Sequence, residues 1–126
     1  MTVIQKQDPE KNLTVLTGTG ELSFEEVSEA IAGFYEGSPT LHVLWDLREA
    51  RASHITSEQV NQIASSLSVL RNTREGGKTA LVTPIDATYG MVRMFQLFLE
   101  SLGQSDIQMR AFRDMDEALQ WMKERC

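Results

Sequence analysis

The side chains in this chain best suited to chemistry are arginines. Arg48, Arg51, Arg93 and Arg113 fall at or just beyond the ends of apolar segments, in a protein whose formal net charge is −6. An arginine presents a planar fork of donors that grips a carboxylate or phosphate through two parallel hydrogen bonds. Asp46 lies two residues before Arg48, and Tyr89 lies one helical turn before Arg93. Together Asp46, Arg48, Arg51, Tyr89, Arg93 and Arg113 form the candidate site for an anionic ligand. The competing reading pairs these arginines with Asp46, Glu49, Asp114 and Asp116, so that they only hold loops. Surface arginines usually have carboxylate neighbours of small energetic effect.

Arrangements for catalysis are sparse. Ser53 and His54 are sequence neighbours, which is not how a nucleophile and its base usually meet. The only histidines are His42 and His54, and Cys126 is the only cysteine. No His-x-x-x-His pair supports zinc. No phosphate-binding Gly-x-x-x-x-Gly-Lys loop occurs, and Gly18-Thr19-Gly20 is only a fragment of a dinucleotide fingerprint. The paired carboxylates, Glu25-Glu26 and Asp114 with Asp116, stand at helix starts, where capping explains them. The reading is therefore a non-enzymatic protein with no catalytic residue, no metal ligand and no cofactor.

The bulk properties are those of an ordinary globular domain. At 126 residues, residues 1–126 suit one domain with one real core. Apolar content of 41% and charged content of 24% fit a soluble globular chain and exclude wholesale disorder. The negative charge disfavours nucleic acid and anionic membranes, unless a local basic patch overrides the mean. A lone cysteine allows no internal disulfide. The first residues lack the apolar core of a signal peptide, and no apolar run reaches the ~18 residues of a membrane span. A cytoplasmic, reduced location is expected.

The elements that must position these groups follow from periodicity. The chain is organised around Leu41–Arg48, which reads as a central strand. Leu41, Val43, Trp45 and Leu47 alternate onto one face, and Leu44 adds apolar surface on the other. Its charged exit, Asp46 to Arg51, reads as the start of a loop, with Asp46 accepting from loop N–H groups. Val3–Gln7 and Leu13–Thr17 predict a hairpin around Asp8-Pro9, ended by Gly18-Thr19-Gly20. Ser23 and Glu26 fit a capping box, with Phe24, Val27, Ile31 and Phe34 as the buried stripe and Gly37 as C-cap. Thr56 or Ser57 caps a second helix with the stripe Val60, Ile63, Ala64, Leu67 and Leu70. Arg71 to Gly77 is its polar exit loop. Thr79–Val82 is a short strand led in by Lys78. A third helix, capped by Asp86 or Thr88, runs to about Leu102 and ends at Gly103. Ile107–Phe112 is an edge strand. Asp114 with Glu117 makes a last capping box, ahead of Met115, Ala118, Leu119 and Met122. The order β-β-α-β-α-β-α-β-α predicts an α/β fold. Its five-stranded sheet is mostly parallel with an antiparallel first strand. The candidate arginines then fall on the rim at the strands' C-terminal ends.

The third helix carries more apolar surface than one packed face needs. Val92, Phe95, Leu99 and Leu102 make the core stripe. Met91, Met94, Leu97 and Phe98 widen the arc to roughly 200°, about twice the usual stripe. Arg93, Gln96 and Glu100 read as its polar side. The extra surface is either burial within the protein, a homodimer contact, or a slot for an apolar ligand.

The layout resembles bacterial SpoIIAA-like proteins, which share the fold of STAS (anti-anti-sigma-factor-like) and CRAL-TRIO domains. The residues that carry the resemblance are Lys78 to Val82, Tyr89-Gly90-x-x-Arg93-Met94, and Phe112-Arg113-Asp114 running to Ala118-x-x-Trp121. Trp45-Asp46-Leu47-Arg48 is similar to the family's strand exit. The resemblance spans nearly all of the chain. It implies a small non-enzymatic module, often a homodimer. An apolar or amphipathic, lipid-like anionic ligand or peripheral membrane contact is its suggested role. The alternative it implies is a STAS-like regulator acting through a partner protein. STAS proteins carry a phosphorylated Asp-Ser-Ser/Thr-Gly-aliphatic motif after the central strand. Here that loop is Ala52-Ser53-His54-Ile55-Thr56-Ser57-Glu58, without the motif.

Overall fold

The computed structural model describes residues 3–37, 39–68, 76–102 and 108–124, the side chains of Leu67 and Ser68 apart. Leu70, the loop 71–75, Gly103, Ile107, Cys126 and the Leu67 side chain lie outside the described residues. The elements are β1 (Val3–Asp8), β2 (Leu13–Glu21), α1 (Phe24–Glu36), β3 (His42–Arg51), α2 (Ser57–Ser68), β4 (Lys78–Val82), α3 (Asp86–Ser101), β5 (Gln108–Phe112) and α4 (Met115–Lys123). One five-stranded sheet runs in the order β1-β2-β3-β4-β5. β1 is antiparallel to β2, and every other pair is parallel. The order of elements along the chain, the antiparallel first pair and the parallel remainder are as predicted, with β3 in the centre.

Local chemistry explains the helix starts. Ser23 Oγ accepts from Glu26 N–H at 3.1 Å, and Glu26 Oε1 accepts from Ser23 N–H at 3.3 Å, so the capping box forms as expected. Thr56 and Gln59 make a second reciprocal pair at 3.1 and 3.0 Å, which makes Thr56, not Ser57, the cap of α2. Asp114 accepts from Asp116 N–H at 3.3 Å. A return bond from Glu117 is absent among the described residues. α3 departs from expectation: its N-cap is Ile85, with no side-chain cap. Thr88 is buried and its hydroxyl donates to Ala50 O at 3.3 Å. That bond ties α3 to β3, which leaves the hydroxyl no part in capping.

Two strand ends also differ. β2 continues through Gly18–Gly20 to Glu21, and β3 continues through its charged stretch to Arg51, pairing residue by residue. Asp46 is thus inside a strand rather than at its exit. The sequence pattern hides this because glycines and charges mimic a turn. The ladder persists because Leu47 and Ala50 remain buried, at 6% and 0% exposure. The register shifts between Thr17 and Thr19. At Gly18, between them, a Cβ would stand 3.2 Å from Leu47 and 3.3 Å from Leu22, so any larger residue would require these two leucine side chains to shift. Gly20 has φ +73°, a conformation that glycine adopts without cost.

The two faces are covered unequally. Leu16, Val43, Leu47, Leu81 and Val92 share one cluster, against which α1 and α3 pack. α2 packs chiefly on α3. On the other face Leu44, Ala80, Val82 and Phe112 meet α4 through Ala118, Met115 and Trp121. α4 is fastened by a buried lysine. Lys78, 2% exposed, donates to Trp121 O at 2.8 Å and also to Glu124 O. Its ammonium lies 5.1 Å from the Trp121 ring centroid. A cation at the carbonyl end of a helix satisfies orphan acceptors and opposes the dipole.

Replacing Lys78 by methionine keeps the stem and removes the donors. Desolvation of the ammonium works against the native bonds, so the expected net loss is about 1–3 kcal/mol. The urea midpoint of Lys78→Met measures it; an unchanged midpoint would show that the clamp contributes nothing to folding.

Candidate functional site: a groove between α1 and α3

The alternation of β3 sends Val43, Trp45 and Leu47 to the face that α1 and α3 cover. Trp45 pairs in register between Leu16 of β2 and Leu81 of β4, in the middle of the sheet. A tryptophan at such a position is ordinarily enclosed. Here it is only half-buried. The helices above it leave an open groove of about 720 Å³, within the range of small-molecule sites.

The floor of the groove is Leu16, Val43, Trp45, Leu81 and Ala111. One wall is the α1 stripe Val27, Ile31, Phe34 and Tyr35, brought to one side by helical spacing. At one end stand Leu22, Ile55, Val60 and Ile63. The other wall is α3, which presents Tyr89, Arg93, Gln96 and Glu100 at spacings of four, three and four residues. These polar side chains are linked in series. Arg93 donates to Gln96 Oε1 at 3.0 Å, and Gln96 donates to Glu100 Oε1 at 3.3 Å. The groove is thus largely apolar in its floor and far wall, with Thr79 the polar residue of the floor, Gln108, Arg110 and Trp121 at its β5 side, and a hydrogen-bonding lip along α3.

The structure distributes the sequence candidates over separate places. Tyr89, Arg93 and Met91 line the groove, whereas Met94, Leu97 and Phe98 do not. Met94 and Phe98 are half-buried and Leu97 is 53% exposed. Asp46 and Arg48 share the strand parity of Leu44, which places them on the α4 side of the sheet. Arg48 grips Asp46 with Nε and a terminal nitrogen, both at 2.9 Å. Those hydrogen bonds hold the Asp46 carboxyl below its ordinary range and raise the Arg48 guanidinium above its own. Arg113 pairs with Asp86 at 2.6 Å and lies 4.2 Å from the Tyr89 ring centroid. Arg51 ends β3 opposite Glu21. So Arg48 and Arg113 are held by carboxylates, and Arg93 by a neutral amide.

The Ser53-His54 pair meets a third residue. Ser53 Oγ donates to Glu21 Oε1 at 2.7 Å, and Ser53 N–H donates to Glu21 Oε2 at 3.0 Å. These bonds hold Glu21 below the usual carboxylate range. His54 Nε2 stands 3.9 Å from the same carboxylate. The serine proton faces a carboxylate rather than an imidazole, so the trio is a loop anchor and not a nucleophile with its base. No group of three or more metal-ligating side chains occurs among the described residues. No helix among them is long and apolar enough to cross a membrane.

Sequence reasoning missed Trp45, Gln96 and Glu100 as parts of the site. The spacing from Tyr89 to Glu100 was the available signal, but a polar helical stripe reads equally well as a solvated face.

No protein-family model and no curated protein matches the chain. Among solved structures, it is similar to an uncharacterized protein of the DUF3478 family from Shewanella loihica PV-4, described as having a SpoIIAA-like fold. The TM-score is 0.54 at 14% sequence identity, over 95% of this chain and 91% of that one. At this identity the likeness establishes the SpoIIAA-like fold and carries no function.

The Asp46–Arg48 pair yields a pH-dependent expectation. A depressed carboxyl pKa contributes stability that is present above the unfolded value, near 3.9, and is lost as pH falls through the lower folded value. Because Arg48 is half-exposed, the contribution at neutral pH should be under about 1 kcal/mol. Denaturant melts of Asp46→Asn against the parent should differ at pH 7 and converge as pH falls through the lowered folded value. A difference that persists unchanged in acid would assign the effect to packing.

Proposed function

We propose that this protein is a non-catalytic binding module whose groove between α1 and α3 takes an elongated apolar molecule with a polar end. One observation carries the reading: the half-buried Trp45 lies on the floor of an open apolar groove of about 720 Å³. Exposed apolar surface in a concave site gains by being covered, at roughly 25 cal/mol per Å². The bonded lip of Arg93, Gln96 and Glu100 supports a polar end at one side and an apolar body across the floor. Arg93 also supplies a cation whose bonded partner is an uncharged amide, so the lip offers donors as well as acceptors to a polar end group.

Trp45 is the reporter. Titration with decanoate and with 1-anilinonaphthalene-8-sulfonate should perturb its emission, and Trp45→Phe should remove the larger part of that response, the remainder coming from Trp121, which also lines the cavity. Ala111→Trp, which fills the floor, should lower affinity at least tenfold with little change in melting temperature. Absence of binding by the parent protein at millimolar probe would sink the reading.

A second reading rests on the outer side of α3, where Leu97 and Leu102 are 53% and 41% exposed. Apolar side chains so placed suit a contact with a second copy of the chain or another protein. If that contact is a homodimer, Leu97→Glu should shift sedimentation from dimer to monomer without loss of helical circular dichroism. A parent protein that already sediments as a monomer would remove the homodimer from this reading.

A further inference from the structure

Thr79 is the one buried side-chain polar atom without a hydrogen-bond partner among the described residues. It is 3% exposed, in the middle three strands of the sheet, and it lines the groove. Its register partners are Val43 on β3 and Met109 on β5. Both belong to the groove side of the sheet. Valine would fill the same volume without an orphaned hydroxyl, whose burial costs about 1–3 kcal/mol. Such a group in a folded core calls for a partner.

The position of Thr79 within the groove is defined by topology. Thr88, near the start of α3, bonds to Ala50 at the far end of β3. α3 then runs back across the sheet, as a right-handed crossover requires. Its later turns therefore lie toward the end of the sheet where β4 and β5 begin, the end at which Thr79 stands, with α3 packing on the neighbouring β5. Gln96 and Glu100 occupy those turns and line the same groove. This end thus gathers a hydroxyl, an amide and a carboxylate, whereas Leu22, Ile55 and Val60 stand near the other end.

We propose that the Thr79 end of the groove is a seat for an uncharged hydroxyl group on the end of an apolar chain. A hydroxyl both donates and accepts, so it can give its proton to Glu100 or the Gln96 carbonyl and accept from Thr79. A carboxylate at the same point meets the like charge of Glu100 and accepts only. A step of about 120° in χ1 carries the Thr79 hydroxyl to the place its methyl now holds, the methyl moving to that of the β-hydrogen. The arriving ligand therefore finds a donor at the floor. This seat rests on the groove being a ligand site, and it adds the chemical class of the ligand's end.

The probes are octan-1-ol and its near-isostere 1-chlorooctane, with octanoate as the charged comparison. The parent should prefer octan-1-ol to both by about tenfold. Thr79→Val should abolish the preference over 1-chlorooctane and leave affinity for 1-chlorooctane within twofold. Thr79→Ser, which retains the hydroxyl, should restore it. Thr79→Val should melt no lower than the parent, so loss of preference is not loss of fold. Equal binding of octan-1-ol and 1-chlorooctane by the parent would overturn the seat and leave the groove reading standing. A preference for octanoate would also overturn it, in favour of Arg93 as the anchor. Failure of all three probes to bind would overturn the groove reading itself.

Discussion

Val43 and Leu44 are neighbours on β3, point to opposite faces, and are both almost fully buried. That single constraint requires cover on both sides of the sheet. The chain meets it unevenly. Its crossovers place helices on the Val43 face, and among the described residues the last helix is the one that covers the Leu44 face. The single helix must therefore be held well. Ala118 packs without exposure, the Phe112 and Trp121 rings meet at a 49° tilt with centroids 5.5 Å apart, and Lys78 holds the helix end.

The crowded face is where space remains. α1 and α3 flank Trp45 without closing over it. α3 is tied at its start to the extension of β3 through Thr88, and α2 leans on α3. A long central strand thus has a direct effect on the site. Because β3 outruns β4, its last residues pair only with β2. The two strands there act as the post to which the wall of the groove is attached.

Much of the architecture was legible in the chain. Ser23 with Glu26 announced α1, and the alternation through Trp45 announced β3 and the face it serves. These signals are local, since cap and periodicity need only neighbouring residues. The ends of β2 and β3 were not legible, because pairing between Gly18–Glu21 and Glu49–Arg51 is decided across the sheet rather than along it. Lys78 read as a polar lead-in, since its acceptors lie more than forty residues away. The Asp46–Arg48 bond was foreseeable from spacing alone; the Arg113–Asp86 bond needed the fold. The groove itself was illegible for the same reason. No residue pattern states how far apart two helices will stand.

The clamp on α4 has an analytical consequence. Lys6, Lys11 and Lys123 are exposed, whereas Lys78 is enclosed with its nitrogen engaged. An amine-specific acylating reagent would find the first three in the folded protein and reach the fourth only when α4 lifts from the sheet. The chain therefore carries its own covalent gauge of partial opening, in which the order of lysine labelling distinguishes detachment of one helix from collapse of the whole fold.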